Sequence, residues 1–174
     1  MRPAPRLITL ALAVSIGVPA CHRAAAQAAS PTDTVITLER GACYGNCPIY
    51  RVSLHADGRV EFHGERDVAY VGNASANVAP AAVGMLLDRF EQAGFQEFEE
   101  RYGRGTAACR HYAADAPTVV LTVARGDTLK RVEHDHGCVG APPALTSLEQ
   151  AVDSAAETAR WTTSSASSRP PSAR

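Results

Sequence analysis

Tyr50, Val52 and Leu54 alternate with Arg51, Ser53 and His55, the period of a strand that buries one face. Asp57-Gly58 follows and supplies the left-handed backbone of a tight hairpin. Arg59 to His63 therefore reads as the return strand, with Val60 and Phe62 facing the core. Upstream, Thr34-Val35-Ile36-Thr37-Leu38 is β-branched and apolar enough for a first strand. Ala69-Tyr70-Val71 is expected to add a short extension.

From Pro80 the period changes. Val83, Leu86, Leu87, Phe90 and Ala93 recur at helical spacing, Pro80 sits in the first turn, and Gly94 ends the run. Val119, Leu121 and Val123 alternate again, Gly126-Asp127 turns the chain, and Leu129 to Glu133 returns as a partner strand. A last helix is expected after Pro142-Pro143, with Leu145, Leu148, Val152 and Ala156 or Ala159 on one face. Strands, helix, hairpin and helix in that order predict an α+β fold: an antiparallel sheet of about five strands with two helices packed on one face.

The ends have another character. Met1 to Arg6 carries positive charge and Leu7 to Ala20 is largely apolar, the n-region and h-region of a secretory signal. The apolar run is shorter than the roughly 20 residues a membrane-crossing helix needs. Val18-Pro19-Ala20-Cys21 resembles a lipobox, in which Cys21 becomes the acylated first residue; Ala24-Ala25-Ala26 offers a competing site for ordinary signal peptidase. The domain reading is a lipoprotein signal over 1–21, a flexible tether over 22–33, a disulfide-stabilised domain over 34–161 and a disordered tail over 162–174. The tail is Thr, Ser, Pro, Ala and Arg with no large apolar side chain after Trp161. This places the protein in the bacterial cell envelope, attached to the membrane through lipid on Cys21 or otherwise periplasmic or secreted.

With Cys21 set aside, Cys43, Cys47, Cys109 and Cys138 remain, an even number in an oxidising compartment. Four cysteines allow three pairings. Cys43 with Cys47 and Cys109 with Cys138 is the expected one, because the first two share a tight turn and the other two flank a later segment. Closing these loops is worth roughly 2 and 3.5 kcal/mol in the chain-entropy account, large against a domain stability of about 5 to 15 kcal/mol. Structure alone therefore accounts for the cysteines.

The most specific local pattern is Cys43-Tyr44-Gly45-Asn46-Cys47-Pro48-Ile49-Tyr50. Gly45 and Asn46 tolerate the positive φ of a sharp turn, and Pro48 sets an extended exit into the strand. Together with Asp57-Gly58 and Gly64, these residues resemble a family of small exported bacterial proteins catalogued as a domain of unknown function, with a CxGxCPxY signature. The similarity runs on weakly through Val83 to Phe95, Asp115-Ala116-Pro117 and Pro143 to Leu148. It implies an envelope location and an α+β domain, and brings no activity and no catalytic residues. Cys109 and Cys138 stand as additions to that pattern, which favours their pairing with each other.

A second cluster is Cys109-Arg110-His111 with His134-Asp135-His136-Gly137-Cys138. If the two cysteines meet, His111, His134 and His136 converge, and residues 134 and 136 point to the same side of a strand. Imidazoles in such an arrangement suit Zn²⁺ or copper. The plainer reading is histidines exposed at the end of an edge strand beside oxidised cysteines. No nucleophile motif such as GxSxG or HExxH occurs, so no catalytic residue is assigned and no cofactor is expected. Arg125-Gly126-Asp127 reads as a hairpin turn.

Formal net charge is −1 over 174 residues with both signs interspersed, which disfavours nucleic acid as a partner. The leading expectation is a non-enzymatic envelope domain that binds a protein, peptide or cell-wall ligand through its sheet face or the Cys43 turn. The alternative is a thiol-disulfide or metal-handling protein.

Overall fold

The computed structural model describes residues 34–163. The expected signal, the tether, Cys21 and the tail beyond Thr163 lie outside them. Seven strands form one sheet: β1 (Thr34–Arg40), β2 (Ile49–His55), β3 (Arg59–Arg66), β4 (Gly72–Asn77), β5 (Arg101–Tyr102), β6 (Thr118–Arg125) and β7 (Thr128–Asp135). Helices α1 (Pro80–Gln92), α2 (Pro143–Ala156) and the single-turn α3 (Ala159–Thr162) complete the fold, with a 3-10 turn at Phe95–Glu97.

Sheet order is β4-β3-β2-β1-β6-β7-β5. The general α+β class agrees with the sequence, but the sheet is larger than the expected five strands and is mixed, because β5 runs parallel to β7 through Arg101↔Glu133 and Tyr102↔His134. Residues 69–71 are no strand; they connect β3 to β4, with Tyr70 and Val71 exposed. The extra strand β4 reads Gly-Asn-Ala-Ser-Ala-Asn and lacks the β-branched or alternating apolar residues that announce a strand. Its pairing with β3, from Arg59↔Asn77 to Gly64↔Gly72, makes it one.

Alternation does the rest. Ile36, Leu38, Tyr50, Val52, Leu54, Val60, Phe62, Val119, Leu121, Val123 and Val132 are buried in one core with Val83, Leu86 and Phe90 of α1 and Leu145, Leu148 and Val152 of α2. Trp161 closes this core by stacking on Phe62 at 4.8 Å. Among the described residues no helix covers the opposite face, which is mostly polar. One row on it runs Asn73, His63, Arg51, Glu39, Val120, Glu133, Arg101 across all seven strands. Gly58 turns the β2-β3 hairpin at φ 90°, and a Cβ there would stand 2.2 Å from the Val78 carbonyl oxygen, so only glycine fits. Among the described residues no helix is long and apolar enough to cross a membrane.

Candidate metal centre

Helix α2 starts at Pro143, and its stripe Leu145, Leu148, Val152 and Ala156 is buried against the sheet. Glu149 lies on that same stripe and is 1 % exposed. A carboxylate placed among core residues must find partners of opposite charge or strong donors. Strand β7 and the turn after it supply them: His134 points to the covered face opposite Val119, and His136, the first residue past the strand, lies on the same side with its ring stacked on that of His134.

His134 Nδ1 lies 2.6 Å from Glu149 Oε1, and His136 Nε2 lies 2.7 Å from Oε2. The two imidazoles stack with centroids 4.3 Å apart. Both carboxylate oxygens are thus engaged, one per ring. Burial pushes the Glu149 pKa up, but the hydrogen bonds from His134 and His136 outweigh it and hold the group below its ordinary value. Glu149 is accordingly a buried anion. His134 is sealed in with it, whereas the His136 side chain keeps 27 % of its surface and forms the open side of the cluster.

Among the described residues, these three side chains are a group whose ligand atoms all lie within 4.8 Å of one another. Two imidazoles and a carboxylate are the donor set that suits Zn²⁺, Cu²⁺ and related divalent ions, at metal-ligand distances of roughly 2.0 to 2.2 Å. To admit an ion, each nitrogen-oxygen contact has to widen by somewhat under about 1 Å, a movement of side chains rather than of backbone.

One turn further along α2, Asp153 carries a second polar network. Its Oδ2 accepts from Arg40 Nη2 at 2.6 Å and from Arg40 Nε at 3.0 Å; its Oδ1 accepts from Tyr50 at 2.6 Å and from Thr158 at 2.9 Å. Burial and the Asp153 carboxylate hold the Tyr50 phenol protonated well above its usual range. Both Asp153 oxygens and the Tyr50 and Thr158 hydroxyls are used by neighbours in the fold. The network ties β1, β2 and α2 together.

A family model described as Domain of unknown function (DUF6438) matches residues 34–156. The chain belongs to this family. The match agrees with the resemblance in the sequence at the level of an uncharacterised domain family. No curated protein matches the chain.

All the candidate residues of this DUF6438 domain fall within the matched span, and the structure sorts them. Cys43 and Cys47 are joined by a disulfide, with Cα atoms 5.7 Å apart, and the ring leaves Tyr44 exposed at its tip. Cys109 and Cys138 are thiols lying side by side, Cys138 buried and Cys109 half-buried. Burial and the Cys138 thiol beside it push the Cys109 thiol up to about 11.

His134 and His136 come together, but His111 does not join them. It is exposed on the loop before β6, and only its carbonyl is used, accepting from Val139 N at 3.2 Å and from the Cys109 thiol at 3.5 Å. The third member of the cluster is Glu149, which the sequence reading missed. The available signal was a carboxylate lying between Leu145, Leu148 and Val152 on a stripe otherwise apolar.

Proposed function

We propose that this protein is an exported, non-enzymatic binding domain, tethered to the cell envelope by lipid on Cys21, that holds a divalent transition metal ion at His134, His136 and Glu149. The observation that carries the reading is the Glu149 carboxylate, buried in the core with an imidazole on each oxygen. A polar cluster of this kind costs desolvation unless its charge is matched. A metal ion in place of the two N–H contacts matches it with bonds to all three ligands. The partly exposed His136 marks the side from which an ion arrives. The secretory signal in the sequence, with Cys21 after it, supports the envelope location.

The test is zinc and copper titration of the purified full chain against a chromogenic chelator, alongside H134A, H136A and E149Q. The expected result is one ion per chain, lost in each variant. Absence of binding in a folded wild-type chain refutes the reading and leaves the cluster as a structural ion network.

A second reading is favoured by the uncovered sheet face. A depression of about 430 Å³ there is bordered by Glu39, Arg51, His63 and Glu65 with Val120 at its floor. Mixed charge around an apolar floor suits a polar cell-wall peptide. Co-sedimentation with purified peptidoglycan, abolished by R51A, supports this reading; unchanged sedimentation in R51A removes it.

A further inference from the structure

The turn between β7 and α2 joins the parts of the candidate metal centre, with His134 before it on β7, His136 at its start and Glu149 after it on α2. It is gripped by the loop that precedes β6. Tyr112 pairs antiparallel with Cys138, Ala113 N donates to Gly137 O at 2.8 Å, and Val139 N donates to His111 O at 3.2 Å. The approach is close enough that a Cβ on Gly140 would stand 1.8 Å from the Ala108 carbonyl oxygen. Cys138 is part of the core and Cys109 packs against it from the loop. Each segment carries one free cysteine, Cys109 on the loop and Cys138 at the turn, and the Cys138 thiol is near enough to act on that of Cys109.

We propose that Cys109 and Cys138 are a redox pair that closes as a second disulfide in the exported protein, and that the closed form binds metal more tightly by fixing the turn that carries His136. The second half of this proposal rests on the metal-binding reading; the first half does not.

The oxidant is a disulfide-bonded protein of the envelope thiol-exchange class. Cys109, the more exposed thiol, attacks as thiolate one sulfur of the oxidant's disulfide and forms a mixed disulfide; the oxidant's other sulfur leaves and takes up a proton. Cys138, having lost its proton, then attacks Cys109 Sγ, forms the Cys109–Cys138 bond and releases the oxidant's second thiol. The chain gives up two electrons and two protons, and the oxidant's disulfide becomes a dithiol.

Closure acts on the metal centre as a supporting contact. His136 N is bonded to Pro117 O at 3.0 Å, and the residues after it are held by Asp135, which accepts from Gly137 N and Cys138 N at 2.9 Å each, and by the turn's contacts with 108–113. A covalent staple two residues beyond His136 narrows the positions its imidazole visits. Supporting contacts of this kind commonly change metal affinity on the order of tenfold or more.

The experiment starts with the full chain exported by its host, alkylated before unfolding, digested without reduction and mapped by mass. A Cys109–Cys138 linked peptide is expected, and full alkylation of both cysteines overturns the pair. Zinc affinity of the linked chain is then compared with that of C109S/C138S, with circular dichroism confirming the fold of the variant. On the order of tenfold weaker binding in the variant supports the coupling. Equal affinity overturns it. Should neither form bind zinc, the coupling falls with the metal reading, and the linked peptide still decides the disulfide by itself.

Discussion

Tyr50 donates a 2.6 Å hydrogen bond to Asp153, joining the last residue of the Cys43 to Tyr50 pattern to a helix more than a hundred positions away. The pattern is therefore a folding device at its C-terminal end. The disulfide ring and Pro48 deliver the chain into β2 so that the first ring of the strand meets α2, and Arg40 from β1 closes the contact through the same carboxylate. Conversion of Tyr50 to Phe removes two hydrogen bonds to charged groups, the one donated to Asp153 and the one accepted from Arg40 Nε at 3.0 Å, and leaves the ring in place. It is expected to lower stability by about 1.5 to 3 kcal/mol in urea unfolding. Asp153→Ala is expected to cost more, because it strands the Arg40 guanidinium as well.

Glu149 predicts the acid limb of stability. Its folded pKa lies below the unfolded 4.5, so its contribution is present above pH 4.5 and is lost as pH falls through the folded value. E149Q has no such titration. Urea unfolding of metal-free wild type between pH 5 and pH 3 is expected to show a steeper loss than E149Q over the same range; parallel curves would falsify the assignment of this limb to Glu149.

Gly140 predicts the reactivity of Cys109. A methyl group at 140 collides with the Ala108 carbonyl and forces the loop off the β7-α2 turn. G140A is expected to destabilise the chain by about 1 to 3 kcal/mol, as overpacking does. In the reduced protein it is also expected to speed alkylation of Cys109 by a soluble thiol reagent. An unchanged alkylation rate places the loop's hold on Cys109 elsewhere.

The hairpin turn gives an independent check on the sheet. G58A places a side chain at φ 90° and into the Val78 carbonyl, with no flexible neighbour to move aside. A stability loss of at least about 1 kcal/mol is expected by thermal unfolding, with zinc stoichiometry of the folded fraction unaffected. A neutral substitution contradicts the β2-β3-β4 arrangement.

How much of this was readable in the sequence depends on the distance over which each feature is decided. Side-chain period is local, so Tyr50, Val52 and Leu54 declared a half-buried strand, and Val83, Leu86 and Phe90 declared a helix face, and both hold. The His134 and His136 pair was readable from the same two-residue period, although the strand ends at Asp135 and His136 keeps that side from the first position of the turn. Strand β4 was not readable, because Gly72 to Asn77 has no apolar period and exists through backbone bonds to β3. Two-residue β5 was hidden likewise, being made by its parallel pairing with β7.

The sequence by itself determined the apolar period of the main strands and helices, where the chain turns, the α+β class and two of the three side chains of the candidate site. Tertiary structure alone decided that Glu149, rather than His111, completes the cluster, and that Tyr50 and Asp153 meet. A charged residue on an apolar stripe states that it is buried and does not name its partner. The partner is set by the packing of α2 over β7, and no spacing within either segment encodes that.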